Sequence, residues 1–321
     1  MIFAIRSQSE FENCCMLIFY YQITHNKIYV DWINALGLDV NKVKTVADIP
    51  FLPISFFKTH KVCAATAPFD VEFSSSGTTG TETSTHFVKD VEIYKKSFIK
   101  TFELQYGMAN ECVIIGLLPT YLERTGSSLI YMCNELITKS ERPESGFYLD
   151  EFEKLKVLLA QLKQRNQKTI LFGVAYALLD FAETNPASWN NLYVIETGGM
   201  KGKRKEMVRE ELHADIRNNW PIQHLHSEYG MTELLSQAYY DDLKSFTCPS
   251  WMKIKIRDTS DPFHYMGENK TGGINVIDLA NLDSCSFIAT QDLGKLLNDG
   301  RFEVLGRFDY SDMRGCNLLL Q

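Results

Sequence analysis

The 321-residue sequence contains no run of the roughly 18 apolar residues that a membrane-spanning helix needs. Its most apolar segment, residues 171–182, is shorter than that and includes Asp180. The N-terminus carries Arg6 and Glu10 where a signal peptide would have its apolar centre. These absences predict a cytoplasmic protein with no membrane span.

Long basic runs are also absent. Lys and Arg number 33 against 40 for Asp and Glu, which gives a formal charge of −7. A mildly acidic chain offers no electrostatic surface for nucleic acid, so we expect no nucleic-acid partner. Apolar residues make up 45% of the chain and charged residues 23%, proportions typical of a folded globular protein rather than a disordered one.

Paired cysteine motifs are missing as well. The eight cysteines are scattered, and none forms a CxxC motif. A chain of this length needs no disulfides for stability, so most of the cysteines are expected to be small buried side chains in a reducing compartment. Cys316 differs from the others because Arg314 and Gly315 precede it.

Apolar periodicity alternates between strands and helices through the middle of the chain. Residues 112–119, 168–173, 192–199 and 222–230 contain buried strand patterns, and the segments between them have helical spacing. This alternation predicts an α/β fold in which helices flank a largely parallel sheet. From residue 251 onward the pattern changes to short strands, which indicates a small, mostly antiparallel β subdomain.

No composition shift marks a linker, so we interpret residues 1–321 as a single domain. Its four parts are a helical N-terminal region, an α/β nucleotide-binding core, the β subdomain and a tail, over residues 1–65, 66–250, 251–309 and 310–321. Within the first part, residues 49–62 contain two prolines and are predicted to form an extended connector.

A polar loop with the sequence SSSGTTGT occupies residues 74–81, directly after a predicted strand. Glycines let a ligand approach the backbone closely, and consecutive N–H groups together with hydroxyls provide donors for an anion. Polyphosphate is the ligand that such donors favour, but no Lys follows the second glycine, so this is not a Walker A loop. Taken alone, the segment is better explained as a flexible surface loop.

Four further motifs follow this loop in an order that resembles the adenylate-forming enzymes, the superfamily of acyl-CoA synthetases and luciferases. They are Thr197-Gly198-Gly199-Met200, Glu228-Tyr229-Gly230-Met231-Thr232-Glu233, Thr290-Gln291-Asp292-Leu293-Gly294 and Gly306-Arg307-Phe308-Asp309. Gln291 stands where the ribose-binding motif of the superfamily has glycine. The resemblance implies ATP and Mg²⁺ as cofactors, with a nucleotide site formed by Ser75, Ser76, Gly77, Thr78, Thr79, Gly80, Thr81, Gly198, Gly199, Tyr229, Gly230, Asp292 and Arg307.

The chemistry of the individual residues agrees with these roles. Attack of a carboxylate on the α-phosphate of ATP brings two anions together, so donors and a cation are needed. Thr232 can donate to the α-phosphate, and Glu233 offers hard oxygen ligands to Mg²⁺. Tyr229 provides a flat face for adenine, and Asp292 provides acceptors for the ribose hydroxyls. Arg307 can reach ribose or phosphate, although each residue taken singly is also typical of a core or surface position.

The two ends of the chain resemble one branch of this superfamily, the LuxE-type acyl-protein synthetases. The resemblance rests on residues 49–62 and on residues 314–318 around Cys316. Only residues 310–321 follow the last motif, so we expect the large C-terminal domain of the superfamily, and its catalytic lysine, to be missing. The resemblance implies that a fatty acid is activated and that its acyl group passes to Cys316. The acyl group would then reach an acyl-CoA-reductase-like or other acceptor protein.

The reach of the tail is compatible with that role. Nine residues take the chain from Arg307 to Cys316, and fully extended they span about 30 Å. Arg314 can lower the thiol pKa from its reference value of about 8.5, which would favour the nucleophilic thiolate. The alternative is a cysteine in an apolar tail that packs against the body of the protein.

Other interpretations remain open on the sequence. The chain could be a ligase that uses CoA or a carrier protein as acceptor, or a non-catalytic subunit that binds a nucleotide or an acyl group. His224, His226 and Glu228 alternate along a predicted strand, which suggests either a metal site or packed core residues. Lining for the acyl group is expected from Tyr121, Gly126, Ser127 and residues 173–179. The adenylation hypothesis requires the loop around Gly77 and the carboxylate of Glu233 to converge on one triphosphate.

Overall fold

The computed structural model describes residues 2–75, 83–119, 126–198, 204 and 207–308. Helices in this part of the chain are α1 (Gln8–His25), α2 (Lys27–Ala35), α3 (Phe56–Thr59), α4 (Val91–Tyr106), α5 (Ser128–Ser140), α6 (Phe152–Gln164), α7 (Ala175–Ala182) and α8 (Arg209–Asn219). Short 3₁₀ turns occur at Ile2–Ala4, Val40–Lys42, Ala109–Glu111 and Leu279–Asn281. None of the helices in these ranges combines the length and the apolar character that a bilayer span requires.

The strands are β1 (Leu52–Pro53), β2 (Val71–Ser74), β3 (Thr85–Val88), β4 (Val113–Leu117), β5 (Gly146–Phe147), β6 (Thr169–Gly173), β7 (Leu192–Glu196), β8 (His224–Tyr229), β9 (Ala238–Tyr240), β10 (Phe246–Thr247), β11 (Met252–Arg257), β12 (Thr271–Asp278), β13 (Phe287–Leu296) and β14 (Phe302–Arg307). Twelve of them form one sheet, and the main path through it runs β11-β12-β13-β14-β10-β9-β8-β7-β6-β4-β5, with β1 beside β13. Strands β2 and β3 form a separate hairpin.

The parallel half of the sheet contains β5, β4, β6, β7 and β8 in that order. Strands β4 and β6 are buried along their whole length, because helices cover both faces of a parallel sheet. Parallel strands also bring their carboxyl ends to one edge, where ligands bind in folds of this kind. The α/β alternation predicted for this part of the chain is confirmed.

The antiparallel half continues from β8 through β9, β10 and β14 to β13, β12 and β11. The short strands predicted after residue 251 are therefore confirmed, and they extend the parallel sheet across its β8 edge. Asp292 of β13 lies directly opposite Arg307 of β14 in the register of this ladder. Two residues separated by 15 positions in sequence thus become neighbours at the edge next to Tyr229 of β8.

The N-terminal region begins with two helices, as predicted. Ser7 caps α1 by accepting a hydrogen bond from the Glu10 N–H, and Asn26 caps α2 by accepting one from the Tyr29 N–H. The extended connector predicted for residues 49–62 is wrong in part, because Phe56–Thr59 forms one helical turn. Burial of Phe57, 1% exposed, accompanies that turn and adds a packing interaction that the proline pattern does not reveal.

Candidate active site

The described residues on either side of the polar loop lie near the Thr232-Glu233 pair, at the end of the β2–β3 hairpin. The Ser84 N–H donates to Ser75 Oγ (2.9 Å), and the Ser75 N–H donates to the Ser84 carbonyl (3.0 Å), so these residues close the base of the loop. The Ser84 side chain also hydrogen-bonds Glu233. Ser75 and Ser84 therefore lie on the same face of the molecule as Glu233.

A buried histidine fixes the backbone next to this contact. His86, on β3, donates from Nδ1 to the Thr232 carbonyl at 2.9 Å, and its side chain is fully buried. Burial lowers the pKa of His86 to about 4, so the ring is neutral and holds Thr232 through a single hydrogen bond. Burial likewise raises the pKa of Glu233, while the hydrogen bond from Ser84 and the nearby charge of Arg307 oppose that rise.

Two residues that the sequence analysis missed hold the turn after Glu233. The N–H groups of Leu235 and Ser236 both donate to Asp278 Oδ2 at 2.9 Å. Asn281 donates from Nδ2 to the Glu233 carbonyl at 2.7 Å. Asp278 and Asn281 are fully buried, and they bind backbone groups some 45 residues away in sequence. Asp278 and Asn281 belong to no local sequence motif, because they bind backbone groups whose own side chains can vary.

Tyr229, Asp292 and Arg307 form one hydrogen-bonded group. The Tyr229 hydroxyl donates to Asp292 Oδ2 at 2.8 Å, and Arg307 Nε donates to Asp292 Oδ1 at 3.1 Å. Burial, and then the adjacent Asp292 carboxylate, raise the pKa of Tyr229 far above its usual value, so the phenol stays protonated. The Arg307 side chain is 76% exposed, which leaves most of the guanidinium free to meet a ligand.

These three residues line a cavity of about 350 Å³ at the carboxyl edge of the sheet, which we call the larger cavity. Its wall also includes Glu196, Gly198 and Arg209. Arg209, at the start of α8, packs its guanidinium over the rings of Tyr240 and Phe246. The sequence analysis placed Gly198 here but missed Glu196 and Arg209.

Two carboxyl groups in the wall of the larger cavity have raised pKa values. Burial raises the pKa of Glu196 to about 7, against the lowering effects of a Ser227 hydrogen bond and of Arg209. Burial raises that of Glu228 to about 7 as well, although Thr197 donates to its Oε2 at 2.7 Å. Near neutral pH each carboxyl group therefore exists in both protonation states.

A second cavity of about 180 Å³, which we call the smaller cavity, adjoins the first. The two share the wall formed by Gly198, Glu228, Gly230 and Met231. Ser74, Tyr94, Ser127, Met132, Thr232 and Gln237 also line the smaller cavity. Of the residues predicted to line the acyl group, Ser127 borders the smaller cavity and Ala175 of α7 borders the larger one.

The cysteines among the described residues are Cys14, Cys15, Cys63, Cys112, Cys133, Cys248 and Cys285. All are free thiols, and five of them are buried, as predicted. Burial raises the thiol pKa of Cys15 and Cys285 to about 12, and it raises that of Cys63, Cys112, Cys133 and Cys248. Such thiols carry little thiolate near neutral pH.

The histidine pair of β8 lies at the other end of that strand from Tyr229. His224 Nδ1 is 2.6 Å from Asp242 Oδ2, and His226 Nε2 is 3.4 Å from Asp242 Oδ1. The third group of this cluster is therefore Asp242 and not Glu228, which instead pairs with Thr197 at the cavities. Alternation along a strand predicts which face of the sheet a side chain lies on. It does not predict that Glu228, near the end of β8, lies at the cavities and away from the two histidines.

Several predicted site residues lie outside the described residues. They are Ser76, Gly77, Thr78, Thr79, Gly80, Thr81, Gly199 and Cys316. Tyr121, expected near the acyl group, lies outside them too. The predicted residues that the structure does bring together around the two cavities and the base of the loop are Ser75, Gly198, Tyr229, Gly230, Thr232, Glu233, Asp292 and Arg307.

Comparison with known proteins supports the motif interpretation. The family model described as acyl-protein synthetase, LuxE, matches residues 5–321. No match was found among curated proteins. Because the match covers nearly the whole chain, it includes both the described motifs and the segment that carries Cys316.

The structure is similar to two solved acyl-activating ligases. One is ATP-bound MatB from Rhodopseudomonas palustris, with a TM-score of 0.55, 17% identity, and coverage of 76% of this chain and 50% of that one. The other is 2-hydroxyisobutyryl-CoA ligase in complex with 2-HIB-AMP and CoA, with a TM-score of 0.70, 12% identity, and coverage of 93% and 74%. The chain spans about half the length of MatB. At these identities the likeness concerns the fold, and the predicted α/β fold of adenylate-forming enzymes is confirmed.

Proposed function

Since the chain belongs to the LuxE acyl-protein synthetase family, we propose that it converts a carboxylic acid and ATP into an acyl-adenylate and pyrophosphate. In this step a carboxylate oxygen attacks the α-phosphorus, a new P–O bond forms, and the bond to the pyrophosphate leaving group breaks. The carboxylate and the triphosphate are both anions, so the site must supply hydrogen-bond donors and positive charge.

The observation that carries this proposal is the contact of Glu233 with Ser84, which pairs with Ser75 at the described end of the polar loop. The loop is closed by Ser75 and Ser84, and Ser84 hydrogen-bonds Glu233. A serine hydroxyl next to the polar loop and a carboxylate suited to a divalent cation therefore lie within one hydrogen bond of each other. Tyr229, Asp292 and Arg307 line the larger cavity, in which we place the nucleoside.

The residues at this point also fit Mg²⁺. Glu233 is only 7% exposed, and a buried carboxylate gains from a nearby cation. Magnesium commonly uses one or two protein carboxylates and completes its octahedral coordination with phosphate oxygens and water. Bound there, the ion would neutralise charge on the phosphates, and Glu233 would hold it next to the loop.

We propose Cys316 as the first acyl acceptor. Its thiolate attacks the carbonyl carbon of the acyl-adenylate, a thioester forms, and AMP leaves with the electron pair of the broken C–O bond. The described cysteines support this choice by contrast, because burial raises the thiol pKa of six of them. The thioester then passes to an acyl-acceptor protein, for which a reductase is the candidate that the family resemblance implies.

A direct test is acid-dependent exchange of labelled pyrophosphate into ATP, measured with a panel of fatty, short and aryl acids. We expect exchange with at least one acid and none without acid. Glu233→Ala should reduce exchange at least a hundredfold because the cation loses its protein ligand. Absence of exchange with every acid would overturn the adenylation proposal.

The acceptor is tested separately with radiolabelled acid. Wild-type protein should carry acyl label that survives gel denaturation and is released by hydroxylamine. Cys316→Ser should keep exchange and lose the label, whereas the matched variant Cys63→Ser should keep both. Label that persists in Cys316→Ser would move the acceptor to another residue, and CoA-dependent AMP release without labelled protein would favour a CoA ligase.

A further inference from the structure

We propose that Lys58, on the single turn α3, binds the pyrophosphate part of ATP and stabilises it as it leaves. The inference rests on the proposed adenylation and adds a catalytic residue to it. When the bond to the α-phosphorus breaks, its electron pair stays with the pyrophosphate, so an ammonium group held beside that group lowers the barrier. Lys58 lies within residues 49–62, where the sequence pattern gives it no role of its own.

The chain just before α3 is fixed to the strand that carries Asp292. Pro53 of β1 lies opposite Ala289 of β13, and the Ile54 N–H donates to the Ala289 carbonyl at 2.9 Å. Pairing of this kind sets both the direction and the register of the segment. The turn α3 therefore begins at a fixed position relative to the nucleoside side of the proposed site.

The turn itself packs against the residue that supports Thr232. Phe57 is 1% exposed, and its ring meets that of His86 edge-on, with a centroid distance of 5.6 Å. His86 in turn hydrogen-bonds the Thr232 carbonyl at 2.9 Å. Two successive contacts thus connect α3 to the residue directly before Glu233, and the residue directly after Phe57 is Lys58.

The charges of Lys58 and Glu233 act on each other. The positive charge of Lys58 opposes the rise that burial causes in the pKa of Glu233. Arg307 has the same effect, but its Nε donates to Asp292 Oδ1 at 3.1 Å. In the part of the chain that the structure describes, Lys58 is exposed and forms no ion pair. Its ammonium group therefore remains available to an anionic ligand beside Glu233.

The chemistry of a lysine side chain suits this task. The magnesium complex of pyrophosphate is still an anion, so the ion proposed at Glu233 leaves charge that a second cation can offset. An ammonium group acts on phosphate as a point charge at the end of a flexible stem, without the planar, bidentate geometry of a guanidinium. An exposed lysine at the edge of the proposed metal site can therefore follow the pyrophosphate as it moves away.

Binding of ATP and of AMP, each measured by titration calorimetry with Mg²⁺ on the full chain, tests the contact apart from the reaction. Lys58→Met should raise the dissociation constant of ATP at least tenfold and leave that of AMP within twofold, because AMP lacks the pyrophosphate. Lys58→Arg keeps the positive charge and should bind ATP within threefold of wild type. Equal changes for ATP and AMP, no change for either, or a wild-type chain that binds neither would contradict the inference.

Lys61→Met is the matched control, because Lys61 is also exposed and lies in the same segment of the chain. Its Nζ packs over the rings of Phe69 and Phe87, at 4.3 and 4.4 Å from their centroids. Phe87 follows His86 in β3, so its ring lies on the face of the hairpin opposite to the one that α3 covers. Lys61→Met should therefore bind both nucleotides as the wild type does.

The exchange assay separates this inference from the proposed function. Lys58→Met should lower kcat at least tenfold and leave the KM for the acid within twofold. If Lys58→Met exchanges pyrophosphate as fast as the wild type, the role of Lys58 is refuted and the adenylation proposal stands. If the wild type gives no exchange with any acid, adenylation is overturned, and the comparison of ATP with AMP then decides whether Lys58 binds the pyrophosphate group.

Discussion

At the scale of single residues, the site is organised by carboxylates in different environments. Asp292 receives hydrogen bonds from Tyr229 and Arg307, so its charge is compensated within the protein. Glu233 is buried next to the base of the polar loop and lacks an equally close cation among the described residues. Glu196 and Glu228 have pKa values near neutrality because burial disfavours their charged forms. These differences fit the proposed roles, in which Asp292 meets the nucleoside, Glu233 holds the metal ion, and Glu196 and Glu228 form part of the cavity walls.

Asp292→Asn should weaken ATP binding. The substitution removes the charge that fixes Arg307 and leaves one oxygen to serve Tyr229, Arg307 and a ribose hydroxyl. We expect the KM for ATP in the exchange assay to rise at least tenfold, which corresponds to about 1.4 kcal/mol. Asp299→Asn, an exposed residue in the turn between β13 and β14, is the control and should leave that KM unchanged.

Glu196 should make the protein less stable as the pH rises. Its folded pKa of about 7 lies above the ordinary value of 4.5, so between these values the folded state retains a proton that the unfolded state releases. The free energy of unfolding contributed by Glu196 is therefore highest at low pH and is lost as the pH rises through 7. Glu196→Gln should gain about 1–2 kcal/mol relative to wild type between pH 5 and pH 8.

Urea denaturation at several pH values measures that effect. Glu211→Gln, at an exposed position on α8, should follow the wild-type pH dependence. A Glu196→Gln variant whose stability difference from wild type does not change with pH would contradict the assigned pKa.

At the scale of secondary-structure elements, the motif turn depends on a neighbouring part of the sheet. Asp278 ends β12 and receives hydrogen bonds from the N–H groups of Leu235, Ser236 and Ala280. Asn281, in the following 3₁₀ turn, accepts from Leu235 and donates to Glu233. The antiparallel half of the sheet thus holds the turn that follows Glu233, the carboxylate proposed to bind the metal ion.

Asp278→Asn should therefore destabilise the fold and the site together. An amide nitrogen would face backbone N–H donors, and at least one buried donor would lose its acceptor, which costs about 3 kcal/mol. We expect urea denaturation to show a free energy of unfolding about 3 kcal/mol lower than that of the wild type. The fraction that remains folded should have lower exchange activity. Asp261→Asn, which alters an exposed turn, should change stability by no more than about 0.5 kcal/mol.

The sequence predicted the elements whose signal is local. Helical periodicity located α6, and Gly107 marks the end of α4 because its φ of 78° favours glycine. The family motifs placed Tyr229, Asp292 and Arg307 in one nucleotide site, a role that stays a prediction, and the structure brings the three side chains together. Asp278 and Gln237 could not be found in this way, because their roles depend on which distant backbone or cavity they face. For the same reason Glu228 was grouped with the wrong neighbours.

At the scale of the whole molecule, the sheet connects the described parts of the chain. Its order runs from β11 near α1 to β5 near α6 without interruption. Trp32 and Trp251 lie toward the first end, and Trp189 and Trp220 toward the second. The single-domain organisation stays a prediction. Because the tryptophans lie toward both ends of the sheet, their fluorescence can report whether the two ends unfold together.

We expect one cooperative unfolding transition. Trp220→Phe and Trp251→Phe each remove a buried tryptophan from a different end of the sheet, so the remaining fluorescence is weighted toward the opposite end. The urea midpoints from fluorescence of each variant and from circular dichroism of the same variant should agree within experimental error. Fluorescence and circular dichroism midpoints that separate in either variant would divide the chain into independently unfolding units.

The wall between the two cavities has a consequence for how such enzymes diversify. Gly198 and Gly230 contribute only backbone to that wall, whereas Glu228 and Met231 add side chains that border both cavities. Met132 and Gln237 border the smaller cavity and not the larger one, so substitutions there change one cavity and leave the residues proposed to bind the nucleoside in place. Relatives with this arrangement could therefore evolve a preference for a different carboxylic acid while they continue to use ATP.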